Sequence, residues 1–445
     1  MTTHPAGRAI LHEANINGFE HVGIEGVRFH VESIQIFEDH CKPYFTAQMI
    51  IETYDHAHEA FVFPTAEVFI SFECPSSDPS FASHRYRERF RIFSHDSEQI
   101  ASGQQKSRLR HKLSLIGQEF YNDRHNNVIR SDNLRTGIKA AQSIHEKIIR
   151  PADGGGMRTF DSSGMIGSKE IPHQSTNMKP FTAINNILSR CVWNRYPSCA
   201  PVYFKNKYGY VMGPLQGVME SASPRHSFTE YAMAGNSWAR NFLGTAAGYM
   251  QIKELKPLSP SGEASSGVRA SEIGNLNKAS AWIDVLTGTY DLGKLNGDGI
   301  SKIIKKLNLQ TNSPEVNDKI RAMLAEAAKG RNGGLQYNFI DSLMQDRATT
   351  KHGPGGFNVS QEAFVTALTY TDKYWVSVPG QGGHKVTCGD KITITYPIVR
   401  NFKTINRTKT LYVARLVHNV RFTEGSSRKP IGDNATTDIY GVVWG

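Results

Sequence analysis

VSVPGQGGHKVTCGDKITITYP, residues 376–397, reads as a strand, a tight connection and a second strand. Pro379-Gly380 ends the first run and Gly389-Asp390 opens the next. Gly380 and Gly389 permit the positive φ that tight turns need, and Asp390 is placed to accept hydrogen bonds from backbone amides. Ile392, Ile394 and Tyr396 alternate with polar residues and would line one face of a sheet.

Outward from this stretch, residues 410–422 (TLYVARLVHNVRF) keep the β-pattern, so roughly the last ninety residues read as strands. The first third reads the same way. FHVESIQIF (29–37), YFTAQMIIET (44–53) and TAEVFISFE (65–73) alternate apolar with polar, and runs at 85–93 and 106–116 follow. Five strands with hairpin-like spacing suggest an antiparallel barrel or sandwich.

The middle differs. Leu134, Ile138, Ala141, Ile144 and Ile148 recur at helical spacing within 133–150, and Pro151 with Gly154 to Gly156 ends that helix. Residues up to 179 are rich in Gly, Ser and Thr and read as a linker. A second helix, 181–191, precedes a hairpin in which Val202 and Phe204 lead into a polar turn at 205–207 and residues 208–212 return. Residues 261–356 show little strand pattern, with helix candidates at 300–309 and 316–328 and a GPGG turn at 353.

The expected fold class is α+β and β-rich: two barrel-like antiparallel tube domains flank a mixed, partly helical middle region. The expected organisation is a first β-domain (1–132), a helix and linker (133–178), a helix-hairpin segment that starts the second β-domain (179–260), a partly helical insertion (261–356) and the rest of the second β-domain (357–445). A chain of 445 residues has room for two to four cores. Its start lacks a basic segment followed by an apolar run, and no uncharged apolar stretch reaches about 18 residues, so neither a secretion signal nor a membrane span is expected. Cys41, Cys74, Cys191, Cys199 and Cys388 are odd in number, scattered and without a CxxC pair, which points to reduced thiols. Cys191 and Cys199 are close enough in sequence to pair or share a metal, although ordinary burial ranks ahead. The formal charge of +10 favours an acidic partner, protein or nucleic acid, without naming it.

Residues 376–397 together with KTLYVARLVHNV, residues 409–420, resemble the final β-domain of the baseplate hub proteins of contractile-tailed bacteriophages, a family related to the hub part of secretion-system spike proteins. In that family a strand ends in a Pro-Gly turn, a Gly-Asp turn starts the next, and a short loop leads to a strand ending in His. Pro379-Gly380, Gly389-Asp390 and His418 hold those places. APVYFKNKYGYVMGPL, residues 200–215, is similar to a second family feature, an aromatic hairpin that turns through a glycine. Together these stretches cover roughly a tenth of the chain.

The resemblance implies a homotrimer in which each subunit looks like two copies of a tube domain. Three subunits then give a pseudo-six-fold ring that docks on a six-fold tail tube and meets a three-fold spike. It implies a virion protein of the tail baseplate, assembled in the host cytoplasm. The implied partners are itself, the tail tube or a tube initiator, the central spike and other baseplate proteins. DNA passes through the lumen transiently, and neither a cofactor nor a stable membrane association is implied. No run of β-repeats follows the hub-like segment, so a separate spike protein is expected. Other classes stay open: a two-domain hydrolase with a site assembled from distant residues, a tube-initiating or spike-bearing tail component, or a nucleic-acid-binding β-barrel.

A pair of strands carries the densest charge. In HRYRERFRIF, Arg85, Arg87, Arg89 and Arg91 fall on one face, opposite Tyr86, Glu88, Phe90 and Ile92. In KSRLRHKLSLI, Lys106, Arg108, Arg110 and Lys112 share a face, opposite Leu109, His111, Leu113 and Leu115. If the strands pair, their basic faces coincide and form an electrostatic docking surface. The plain alternative is a solvated face partly neutralised by Glu67 and Glu73. A tight grip on DNA would slow its exit, because each phosphate contact releases counterions and adds affinity, so a protein interface is favoured.

Several constellations carry no chemistry. LNGDGISKII, 295–304, lacks the spaced carboxylates of a calcium loop. GMIGSK, 164–169, has the wrong glycine spacing for a phosphate loop. DHAH, 55–58, is the densest histidine group and reads as a hairpin tip rather than a metal site. Tyr374, Trp375, Tyr440 and Trp444 read as core or subunit-interface residues. No Ser/His/Asp order or carboxylate pair marks a catalytic centre.

Overall fold

The structure is a computed structural model that describes most of residues 9–229 and 373–444, together with residue 252 and stretches at 254–257, 279–284, 290–293 and 335–340. The first β region contains β1 (Ala9–Ile16), β2 (Phe19–Glu20), β3 (Phe29–Asp39), β4 (Thr46–Tyr54), β5 (Glu67–Glu73), β6 (Arg85–Gly103) and β7 (Lys106–Gly117). The middle follows with α1 (Gln118–His125), β8 (Val128–Arg135), α2 (Gly137–Ile144), β9 (Met157–Thr159), β10 (Ile171–Met178), α3 (Pro180–Leu188), β11 (Pro201–Asn206), β12 (Gly209–Pro214) and α4 (Leu215–Ser221). Then come β13 (Pro224–Thr229), β14 (Glu254–Pro257), β15 (Ala279–Asp284), β16 (Tyr290–Gly293) and β17 (Leu335–Ile340). The chain closes with β18 (Lys373–Pro379), α5 (Gly380–Gly383), β19 (Lys391–Arg400), β20 (Lys403–Arg421), β21 (Ile431–Gly432) and β22 (Thr436–Val443).

The two β regions are two modules of one topology. In the first, β1, β3, β4, β5, β6 and β7 stand side by side as β3-β4-β7-β6-β5-β1. Counted along the chain, that order is 2-3-6-5-4-1. In the second, β13, β14, β18, β19, β20 and β22 stand as β14-β18-β22-β20-β19-β13, which is again 2-3-6-5-4-1. Corresponding pairs are antiparallel in both modules, except that β1 runs antiparallel to β5 and β13 runs parallel to β19. The modules fuse where the second half of β20 pairs antiparallel with β3, which makes one 14-stranded sheet.

Each module buries a core of its own. Strand β3 turns Phe29, Val31, Ile34 and Ile36 inward, and a register shift between Val31 and Ser33 moves the inward phase from odd to even positions. With Phe45, Phe72, Phe90 and Leu113 they form the first core, which also takes Val420, Phe422 and Ala435 from the second module. Each such side chain, fully buried, contributes about 1.5–3 kcal/mol. The second core gathers Val376, Val378, Ile392, Ile394, Leu411, Leu416 and Ile439 and is continuous with the helices of the middle region. There α2 packs Ile138, Ala141 and Ile144 beside Ala183, Ile184 and Ile187 of α3. Among the described residues no helix is long and apolar enough to cross a membrane.

The middle departs from the sequence reading in four places. Leu134 lies in β8 rather than in the helix, which starts at Gly137 and ends in a π-helical turn, His145–Ile149, just before Pro151. Residues 171–178, read as linker, form β10 on β8, because Ser, Thr and Asn supply a backbone ladder without an apolar pattern. The hairpin turn lies at 207–208, so Lys205 belongs to β11. Within 261–356 the described residues are the strands β15, β16 and β17, while both helix candidates, the GPGG turn and the calcium-loop lookalike lie outside the described residues. The 164–169 and 55–58 motifs and Cys199 also lie outside them.

Candidate assembly surfaces and the polar seam

Strands β6 and β7 do pair, yet their two basic runs do not meet. The register sets Arg91 opposite Ile116 and Asp96 opposite Lys112, so Lys112 and Arg110 face the outer half of β6. Arg85, Arg87, Arg89 and Arg91 lie instead along β5, opposite Glu73, Ser71, Phe69 and Glu67. The hairpin is long on its β6 side, and this offset slides the clusters past each other end to end.

Much of the charge is paired. Glu67 accepts from Arg89 at 2.9 Å and lies 3.2 Å from Arg91, whose Nε also donates to Gln118 at 2.7 Å. Arg85 donates to Ser71 at 2.6 Å. Glu73 pairs with His12 at 3.2 Å, so the expected neutralisation of the arginines comes from Glu67. Arg110 pairs with Glu32 at 2.9 Å and with Glu52 at 3.6 Å. Arg87, Arg89 and Lys112 are exposed, and the side chains of Lys106 and Arg108 lie outside the described residues. Arg87 and Arg89 border a groove with Glu13, Asn15, Glu67 and Phe69.

The turn motif behaves as two different devices. Gly389 has φ +89°, and Asp390 Oδ2 accepts from the Thr387 amide at 3.1 Å. Pro379 ends β18, but Gly380 opens the short helix α5 and has no positive φ. Glycine is needed there for space: a Cβ would stand 2.6 Å from Ala435 Cβ and 3.1 Å from Cys74 Sγ. The Gly380 amide donates to Ala435 O at 2.8 Å within the second module, and Ala435 and Cys74 both pack into the first core, so the two modules meet at this point.

The two stretches that carry the family resemblance lie against each other, wedged between the modules. The Thr387 hydroxyl and the Cys388 amide at 2.9 Å both donate to Glu38 Oε2 of β3. From the other motif the Lys207 amide donates to Thr387 Oγ1 at 3.1 Å, Asn206 donates to Cys388 O at 3.3 Å, and the Lys205 amide donates to Lys42 O at 3.0 Å. His418 lies 3.6 Å from Glu38 and bonds Thr437 at 2.9 Å, with its ring beside those of His384 and Tyr86.

Lys205 is the centre of this seam and is 7% exposed. Its ammonium donates to Glu88 of β6 at 2.8 Å and to Glu119 of α1 at 2.7 Å, and sits 4.8 Å from the centre of the Phe45 ring. The Tyr210 hydroxyl donates to the same Glu119 oxygen. Burial pushes the Glu88 carboxyl up to about 7, against the pull of Lys205. Burial alone would lower the Lys205 ammonium, but Glu119 and Glu88 outweigh it and hold it above the ordinary lysine value. A hydrogen-bonded cluster of paired charges in this position fixes geometry between parts.

Among the described residues metal-binding chemistry is weakly represented. Ligand atoms of Asp39, His40 and Cys41 lie within 4.8 Å of one another, but Asp39 is taken by Arg415 at 3.1 Å and by the Cys41 amide at 2.9 Å, which makes this group a turn. Cys74, Cys191 and Cys388 are buried free thiols, and burial pushes the Cys74 thiol up to about 12. Tyr374 and Trp444 are buried, whereas Tyr440 is 37% exposed and faces Trp375 across the sheet.

No family model matches the sequence, and no curated protein matches it. Solved structures do. The tail protein of Neisseria meningitidis MC58 superposes with a TM-score of 0.50 at 9% identity, covering 98% of this chain and 96% of that one. The 43 kDa tail protein of prophage MuSo2 from Shewanella oneidensis gives 0.48 at 8% identity, over 98% and 97% of the chains. The Escherichia coli c3393 protein, described as a component of the type VI secretion system, gives 0.41 at 7% identity, over 98% and 77%. These neighbours are named as tail and secretion-system components, not as enzymes. The likeness to the meningococcal tail protein runs nearly the full length of both chains, and this chain shares the fold of that protein.

Proposed function

We propose that this chain is a structural, non-catalytic tail component: the baseplate hub that joins a six-fold tail tube to a three-fold central spike as a homotrimer. The observation that carries the reading is the repeated strand order 2-3-6-5-4-1, which gives one polypeptide two equivalent building blocks. Three such chains supply six quasi-equivalent positions on one side, while the sequence differences between the blocks leave three-fold symmetry on the other. The polar seam supports this role, because blocks that stand for ring positions must keep a fixed angle.

The partners in this reading are a second and third copy, the tube or its initiator, the spike and neighbouring baseplate proteins. The exposed part of the basic strands, Arg87 and Arg89, serves as a docking face for an acidic neighbour. The particle is a virion tail or an injection device derived from one, put together in the host cytoplasm, with DNA passing through the ring without being held. The test is a mass measurement on the chain co-expressed with its spike. Three chains of 49.5 kDa, about 150 kDa, together with a spike trimer support the hub. A chain that stays monomeric beside an intact spike overturns it.

A further inference from the structure

The strand order repeats, but one pairing occurs once. Strand β20 gives one edge to β19 along 403–412 and then to β3 along 415–421, with β22 on its other edge. Its counterpart in the first module, β6, gives the corresponding edge to β5 along 85–91. From Ser94 onward no described strand takes that edge, and residues 93–99 are all exposed. At the far end of the sheet β14, the counterpart of β3, is the last described strand. Unpaired strand edges present rows of amides and carbonyls that template the addition of another strand.

We propose that residues 97–100 of β6 add antiparallel to β14 of a second copy, repeating between copies the β20–β3 pairing that joins the modules within one. The chain itself points to the occupant: the sheet already contains this contact once, and these two open edges among the described strands are the halves of a second instance. The inference rests on the ring reading above, since three such additions close three chains into a ring.

The internal register fixes which residues meet. Pairing with β3 begins at Arg415, three residues after Tyr412, the last partner of β19. The β6 position equivalent to Arg415 is then Ser94, three residues after Arg91, so Glu98 corresponds to Asn419. Lys256 connects through Trp375 and Tyr440 to Arg415. Ser94 connects through Ser114 and Gln48 to Gln35, so Lys256 corresponds to Gln35. Asn419 faces Gln35 within the chain, and Glu98 therefore faces Lys256 of the next copy, a pair of opposite charge. Pro257 has no amide hydrogen to give and ends the new ladder on that side.

Two experiments on the full chain, co-expressed with its spike, test this. In a Cys41→Ser background, Glu98→Cys together with Lys256→Cys is treated with a short bis-maleimide. Covalent dimers and trimers are expected, absent from either single cysteine variant. A trimer by mass that yields no interchain cross-link overturns the strand addition and leaves the hub reading standing, whereas the absence of any trimer overturns both. Glu98→Lys is expected to weaken trimer formation by roughly tenfold or more, and Glu98→Lys with Lys256→Glu to restore it. Trimer formation unmoved by the single reversal overturns the assigned register.

Discussion

Replacing Lys205 by methionine tests whether the seam holds the modules together. The ammonium lies within 2.8 Å of two carboxylates, one 16% and one 1% exposed. Methionine fills most of the same volume, so the loss is chiefly electrostatic: Glu88 and Glu119 would face each other without a cation. Removing one partner of a buried ion pair costs about 3–5 kcal/mol. Protonation limits this, since Glu88 is already pushed up to about 7 and would take a proton at neutral pH. The net expectation is a loss of about 2–4 kcal/mol at pH 8 and less at pH 5, read from urea unfolding followed by tryptophan fluorescence. Adding Glu88→Gln and Glu119→Gln to Lys205→Met should recover most of the loss, because no uncompensated charge then remains. A single Lys205→Met variant as stable as the parent at pH 8 would refute the reasoning, as would a triple variant no better than the single.

Other outcomes follow from the same geometry. The folded Glu88 carboxyl is raised above its unfolded value, so the native state holds the proton more tightly and stability falls as pH rises from about 4.5 to about 7; Glu88→Gln should flatten that part of the stability curve. Gly380→Ala should cost about 1–3 kcal/mol in thermal or urea unfolding, because the new methyl meets Ala435 and Cys74 where the modules meet. Gly389→Ala, at φ +89°, should cost about 1–2 kcal/mol by the same measurement. Reversing Arg87, Arg89 and Arg91 to Glu should leave the trimer but reduce attachment of acidic neighbours in moderate salt; unchanged attachment removes the docking role. Part of that change will be local, since Arg91 also holds Gln118 and the Thr65 carbonyl.

The β modules were legible because each strand buries one face, which stamps a two-residue period on 29–37, 44–53 and 65–73. β10 left no such mark: IPHQSTNM is held by its ladder to β8, and a ladder has no side-chain signature. The α2 helix showed itself through Ile138, Ala141 and Ile144. The central residue of the seam was missed, because a lysine between Phe204 and Asn206 reads as the start of a polar turn. Its acidic partners lie 117 and 86 residues away in the chain. A signal existed in the partner: Glu88 falls on the same face of its strand as Tyr86 and Phe90, and an acid on a core face calls for a buried cation. The basic strands illustrate the opposite limit. Their faces were legible, but the register of a long hairpin is set by contacts with β4 and β5, so the expected overlap of the two clusters became an offset. The shared strand order lay beyond any local pattern, since it is a property of pairing between distant segments.

The most direct test of two modules standing for two ring positions is an end-on electron-microscope average of the chain bound to its spike. The account predicts a ring of six similar lobes that alternate in detail, with three-fold rather than six-fold symmetry and an open centre. A ring of three lobes, or a particle with both modules away from the axis, would contradict it.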